Sequence, residues 1–324
     1  MKKNLTYNII WLAIIVLGYF ALYAAYSAGM VNLFLDNVLV QIGINVILAV
    51  GLNLIIGFSG QFSLGHAGFM AIGAYAAALI SMQLPTYGGF FLGMAAGVVI
   101  AGIVAVAVGI PTLRLSGDYL AIATLGVAEI IRILLINFDE ITNGPSGIFG
   151  ILPFVNWQMV YGFMAITTLI LVNYIRSGAG RATMAIREDE IAAESMGVNT
   201  TKFKVVAFAL GAMTAAIAGS LYAGYLQSIA PKDFAFTKSV DVLIMVVLGG
   251  IGSVTGSFVA AIVLGIINMY LQDFGALRMI IYALALILLM IFRPGGILGT
   301  REFSVKKIVN KFKKGDDQNA SVGN

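Results

Sequence analysis

Ionisable side chains are scarce in this 324-residue chain, and two of them, Glu129 and Arg132, stand three apart inside an apolar run. That spacing puts them on one face of a helix. A charge at the centre of a membrane helix costs about 2.5–3.5 kcal/mol on insertion scales, so each must pair or face a bundle interior. The two suit a transport path or a contact with a second subunit. An ion pair that neutralises itself, or an Arg132 that snorkels outward, is the plainer and preferred reading. His66, the only histidine, stands in Gly65-His-Ala-Gly68 at the start of another apolar run. Its type suits proton coupling, but a hydrogen bond to backbone at the start of a helix is the preferred role. One histidine and no cysteine exclude an HExxH zinc site, a multi-histidine cluster, disulfides and thiol redox chemistry. There is no G-x-x-x-x-G-K-[ST] loop to bind ATP, and no cluster of nucleophile, base and metal ligand, so the chain is not read as an enzyme.

Charge is concentrated in Arg176–Lys204, which holds nine charged residues although charged types make up only 10% of the chain. Apolar runs long enough to cross a bilayer flank it. Ala182–Met196 has no Gly or Pro and is rich in helix formers, which predicts a loop containing a short helix. Met184, Ala185, Ile191, Ala192 and Met196 would share one side of it, with Glu188 among them. Such an island marks either a contact with something outside the membrane or a solvated linker.

The elements that must carry these groups are transmembrane. A hydrophobic share of 60%, a mean hydropathy of +0.97 and 38 glycines place the chain among all-α, polytopic helical bundles. The expected spans are Ile9–Ser27 (retained, not a cleaved signal), two within Asn37–Met82, then Gly89–Gly109, Tyr119–Asn137, Trp157–Ile175, Val205–Gln227, a broken region Ser239–Leu271, and Ala276–Phe292. Small residues recur every fourth position in two of them: Gly89, Gly93, Gly97, Ala101, Ala105, Gly109, and Gly211, Ala215, Gly219, Ala223. Such stripes let helix backbones approach closely. If Ser239–Leu271 crosses twice there are about ten spans (eight to ten), both termini are cytoplasmic, and 15 of the 19 Lys and Arg residues lie inside. Arg293-Pro-Gly-Gly296 stops the last helix. Residues 1–300 then form the transmembrane domain, with the charged loop 176–204 cytoplasmic. Residues 301–324 form a basic cytoplasmic tail that either lies on anionic lipid or is frayed. A net charge of +4, clustered at span ends, gives no nucleic-acid signal.

Two regions, Asn37–Met82 and Ser239–Leu271, are too long for one helix. Each is interrupted by glycine, Gly57-x-x-Gly60-x-x-Ser63 and Gly249-x-x-Gly252-x-x-Thr255. Paired glycine breaks in two halves point to a substrate path, because freed backbone groups are tolerated in lipid only beside a cavity or in packed protein. Gly60, Gln61, His66, Thr124 and Gly252 are the candidate path residues.

Longer motifs carry a resemblance. Gly51-Leu-Asn-Leu-Ile-Ile-Gly-Phe-Ser-Gly-Gln-Phe-Ser-Leu-Gly-His-Ala-Gly-Phe69, Gly117-Asp-Tyr-Leu-Ala-Ile-Ala-Thr-Leu-Gly126, Thr142-Asn-Gly-Pro-Ser-Gly-Ile148 and Phe292-Arg-Pro-Gly-Gly-Ile-Leu-Gly299 occur in order. Together they resemble the membrane permeases of ABC importers for branched-chain amino acids, and within them the M-type rather than the H-type subunit. The resemblance implies a bacterial inner-membrane permease that moves leucine, isoleucine or valine inward. It implies three kinds of partner: a second homologous permease, two ATPase subunits that bind the ATP and Mg this chain does not, and an extracytoplasmic amino-acid-binding protein; membrane lipid is expected from the apolar spans and the basic tail. It also makes the charged loop an EAA-type coupling loop. Ala192-Ala-Glu-Ser-Met-Gly197 matches the Ala-Ala-x-x-x-Gly core, but Ile191 stands where the pattern has Glu, and Glu190 lies one place earlier. Arg187, Glu190, Ala192, Ala193, Glu194 and Gly197 are the implied coupling residues, and Asn143 and Ser146 the implied binding-protein-facing loop.

Two alternatives remain open from sequence: an ion-coupled secondary transporter of small amino acids, and an ABC permease for urea or short amides. The first would have no use for the Ala-Ala-x-x-x-Gly loop.

Overall fold

The computed structural model describes residues 2–115 and 117–271, together with positions 280, 283, 284, 287, 291, 296 and 299. The chain forms two units, residues 1–36 with 301–324, and residues 37–300. In the first, helix α1 (Lys2–Ser27) contains the expected opening span, and the Tyr26 hydroxyl donates to Asp36 Oδ1.

The second unit is a helical bundle, as the composition predicts. Helix α2 (Leu33–Asn53) is buried at every position from Val46 to its end, which explains why its sequence is apolar all round rather than amphipathic. It closes in a π turn, Leu54–Phe58, before helix α3 (His66–Gln83) begins. Helices α4 (Tyr87–Thr112), α5 (Asp118–Asn137), α7 (Trp157–Arg176) and α10 (Thr200–Leu226) follow the expected spans closely. A single turn, α6 (Asp139–Thr142), follows α5. The only sheet among the described residues is one short antiparallel pairing, β1 (Ile148–Phe149) with β2 (Ser228–Ile229), in register Ile148↔Ile229.

The small-residue stripes are packing devices. Gly89, Gly93, Gly97, Ala101, Ala105 and Gly109 of α4 are all buried, as are Gly211, Ala215, Gly219 and Ala223 of α10. A Cβ on Gly73 would lie 2.0 Å from the Ala216 carbonyl oxygen, and one on Gly219 would lie 1.9 Å from that of Met70. One on Gly97 would lie 2.9 Å from Gly73 Cα, so α3, α4 and α10 touch backbone to backbone. Away from this core, Ile100 and Ile103 of α4, Ile122 and Ile130 of α5, and Ile166 and Ile170 of α7 are exposed apolar side chains, suited to lipid or to a partner's helices.

Among the described residues five helical segments are long and apolar enough to cross a membrane: Leu33–Phe58, Tyr87–Thr112, Asp118–Asn137, Trp157–Arg176 and Thr200–Leu226. The pair α11 (Phe236–Gly249) and α12 (Val254–Leu271) would make a sixth only if read as one broken span, and their axes differ by 119° across the glycine break. The chain turns back there instead of passing straight through. At 14 residues α11 is about 21 Å long, less than the roughly 30 Å of a hydrocarbon core. The preceding 3₁₀ turn, Pro231–Phe234, is drawn in with it, since Phe234 packs edge-on against Tyr75 in mid-α3. The expected final span, Ala276–Phe292, and the basic tail lie outside the described residues, apart from the single positions given above.

Candidate functional site: a glycine junction under a charged loop

The two glycine breaks noted in the sequence meet in space. The π turn at the end of α2 is wider than an α turn, with Ser59 N donating to Leu54 O and Gln61 N to Ile55 O. It brings Gly57 so close to the other break that an added Cβ would lie 2.3 Å from Gly252 N and 1.9 Å from Asn53 Oδ1. Gly252 and Gly250 have φ of +85° and +116°, a region side chains avoid. On the far side of this turn, a Cβ on Gly250 would lie 2.2 Å from the Gly299 carbonyl oxygen, and Gly296 packs on Gly250 N. The terminal Arg-Pro-Gly-Gly-Ile-Leu-Gly motif therefore places glycines against the same junction.

Asn53 holds the junction together. It is fully buried, its Nδ2 donates to Ser253 O and to Ser257 Oγ at 2.8 Å each, and its Oδ1 accepts from Gly252 N at 2.9 Å. No sequence reading singled it out. The available signal was a lone amide in the apolar stretch before Gly57, where an unsatisfied polar group would be costly.

From the junction, Ser59–Gly65 runs on without regular secondary structure, and burial alternates along it. Ser59, Gln61 and Ser63 are buried, whereas Gly60 and Phe62 are exposed. Gln61 Nε2 donates to Ser59 Oγ, while its Oε1 is buried without a partner. Thr124 Oγ1 accepts from Leu64 N and donates to Ala121 O, both at 3.0 Å, and Gly65 lies against the Thr124 carbonyl. The α3 helix then opens, with Ala67 N donating to Ser239 Oγ on α11. Both His66 ring nitrogens are buried outside good hydrogen-bond geometry, so the expected backbone bond amounts to an approach by the Leu48 backbone. Of the five candidate path residues, Gly60 and Gly252 belong to the junction, Thr124 and His66 flank the start of α3, and Gln61 turns inward.

The charged segment differs from the single helix expected over Ala182–Met196. It forms α8 (Gly178–Glu188) and α9 (Glu190–Ser195), broken at an extended Asp189. Asp189 caps α9 by accepting from Ala192 N, because a short acceptor side chain competes for the free amides of a helix start. The expected shared face is thereby lost: Met184 packs inward, whereas Ile191 and Met196 are 79% and 85% exposed. Gly197, with φ +84°, ends α9 through bonds from Gly197 N to Glu194 O and from Val198 N to Ala193 O, a paired closure that glycine favours. Glu190 is held by Lys204 of α10 at 2.5 Å, Ala193 is buried, and Ala192 and Glu194 are exposed. Arg187, the last basic residue of α8, reaches across to donate from Nη1 to the Gly57 carbonyl, and its other edge pairs with Glu188.

Elsewhere, Glu129 and Arg132 form the ion pair preferred from sequence, on a partly exposed face of α5. Lys238, counted from sequence among the exterior cations, lies against α2, donating to Asn45 Oδ1 at 3.4 Å and standing 6.0 Å from the Tyr222 ring centre. In the Asn143–Ser146 loop, Asn143 adopts φ +58° and donates from Nδ2 to Gly147 O, leaving Asn143 and Ser146 exposed.

Fold and site define a multi-pass helical membrane protein with discontinuous helices that meet under an exposed charged loop. Residues 34–292 match the family described as "Branched-chain amino acid transport system / permease component", and the chain belongs to that family. It is 37% identical over 268 residues to the permease protein LivM of Salmonella typhimurium, and equally to that of Escherichia coli K12, covering 71% of this chain. The chain spans about 62% of the length of these relatives. It is also 34% identical over 144 residues to LivH of Escherichia coli K12, covering 43% of this chain and 46% of that one. Among solved structures, PsaBC from Streptococcus pneumoniae in complex with Fab aligns at a TM-score of 0.44 and 15% identity, over 83% of this chain and 95% of that one.

Proposed function

We propose that this chain is the M-type permease subunit of an ATP-driven importer of branched-chain amino acids. A second homologous permease would pair with it, so that substrate crosses between the two. Two ATPase subunits would bind ATP and Mg and dock on the α8–α9 loop, and a binding protein would deliver substrate to the Asn143–Ser146 side. With the loop and both termini cytoplasmic, the Lys and Arg distribution satisfies the positive-inside rule. The observation that carries this reading is the build of α9. Its cap, its glycine closure and the Glu190–Lys204 pair hold it firmly, yet Ile191 and Met196 face away from the chain. A solvated linker needs neither the rigidity nor the exposed apolar pair.

The test is labelled leucine uptake into proteoliposomes holding this chain, its partner permease and the ATPases, with binding protein outside and ATP inside. Uptake should require ATP and collapse in Gly197→Pro, because proline cannot take φ +84° and lacks the N–H that Glu194 accepts. Uptake that follows an ion gradient without ATP would instead mean a secondary transporter. ATPase coupling without leucine movement would redirect the search to urea or short amides.

A further inference from the structure

Arg187 is the one residue of the charged loop whose side chain touches both glycine breaks. Its Nη1 donates to the Gly57 carbonyl, a group the π turn leaves accessible. The same Nη1 would stand 2.9 Å from a Cβ on Gly252, and Arg187 Cγ would stand 2.8 Å from a Cβ on Gly60. Three glycines thus form a socket that any side chain at those positions would fill. Glu188 accepts from Nε and Nη2, at 3.1 and 2.7 Å, which fixes the plane of the guanidinium and aims the remaining edge at Gly57. Arg187 is two residues from the Asp189 cap that starts α9. A displacement of α9 would therefore reach the junction through one side chain, whose guanidinium is held on both sides by Gly57 and Glu188.

Resting on the importer reading above, we propose that Arg187 is the positioning residue that transmits motion of the docking helix α9 to the broken helices. It acts through the Gly57 carbonyl and the Gly252 turn, with Asn53 carrying the displacement from one break to the other. A lysine could not replace it, since one ammonium cannot serve Glu188 along two bonds and Gly57 along a third in a planar fork.

The absence of cysteine makes the test direct. Spin labels would be placed singly at Ser195→Cys on α9 and at Phe62→Cys on the irregular segment before α3, both exposed positions, in the full complex in liposomes. Their mobility would be read with and without ATP and vanadate. With Arg187 present, both labels should respond. In Arg187→Gln and Arg187→Lys the response at Ser195 should persist and that at Phe62 should vanish, while uptake falls about tenfold or more. Glu188→Gln should give a partial loss at Phe62. An undiminished response at Phe62 in Arg187→Gln would overturn the proposal. So would loss at both positions, which would make Arg187 a structural prop of the loop. No ATP response at either label with Arg187 intact would overturn the importer reading itself.

Discussion

The substitution Asn53→Leu keeps the branched skeleton of asparagine while removing its hydrogen bonds at the junction, and its bulkier methyl groups add to the cost in so tight a site. Three bonds are lost, but their consequences differ. Ser257 Oγ keeps its bond to Ser253 O, and that carbonyl also keeps Ser257 N at 3.1 Å. Gly252 N has no other acceptor among the described contacts, so its part-buried N–H is left unsatisfied. Leaving it unpaired costs at most about 1–3 kcal/mol, the figure for a fully buried donor, and each of the other two bonds is worth about 0.5–1.5 kcal/mol. Polar bonds inside membrane bundles average nearer 0.6 kcal/mol, which lowers the total. The expected destabilisation is about 2–5 kcal/mol, large for a single substitution. Reversible SDS unfolding in mixed micelles should read it, and a double-mutant cycle with Ser257→Ala should return a coupling of about 0.5–1 kcal/mol. A loss below about 1 kcal/mol in Asn53→Leu would refute the reasoning, because the breaks would then be held by glycine packing alone.

Ile191→Glu combined with Met196→Glu should leave folded permease yield unchanged, since both side chains are exposed, yet sharply reduce co-purification of the ATPase subunits. Retained co-purification would move the docking surface elsewhere. Gly219→Leu should abolish a monodisperse peak in size exclusion, because its Cβ alone meets the Met70 carbonyl at 1.9 Å; a well-behaved variant would contradict the backbone contact. Glu129→Gln leaves Arg132 without its pair on an apolar helix, at a cost approaching the roughly 2.5–3.5 kcal/mol of a central charge. Accumulation in the membrane should fall and recover in Glu129→Leu with Arg132→Met, and no fall in the single variant would show that solvent or lipid headgroups already satisfy the arginine.

What was legible in the sequence was whatever repeats locally. The four-residue spacing of Gly89–Gly109 and Gly211–Ala223 becomes two buried faces without adjustment, because helix geometry alone decides which residues line up. The three-residue step from Glu129 to Arg132 likewise becomes an ion pair. The glycine breaks were legible as breaks, but nothing local says that Gly57 and Gly252 touch, since they are almost two hundred residues apart in the chain. Asn53 and Arg187 were opaque in their roles for the same reason: their partners lie 199 and 130 residues away. The single helix expected over Ala182–Met196 failed at Asp189, where helix-forming neighbours were outweighed by one side chain that caps better than it propagates.

The contact among α3, α4 and α10 bears on where such a molecule can deform. Helices that meet through side chains can shift by exchanging rotamers, but a carbonyl oxygen has no rotamer to exchange. With Gly73 on Ala216, Gly219 on Met70 and Gly97 on Gly73, even a small slide drives one peptide unit into another. These three helices are a stator. Compliance is left to the thin seam formed by the irregular segment from Ser59 to Gly65 and the turn at Gly250–Gly252. There the joints are a few hydrogen bonds, which can break and re-form without disturbing the frame that carries them.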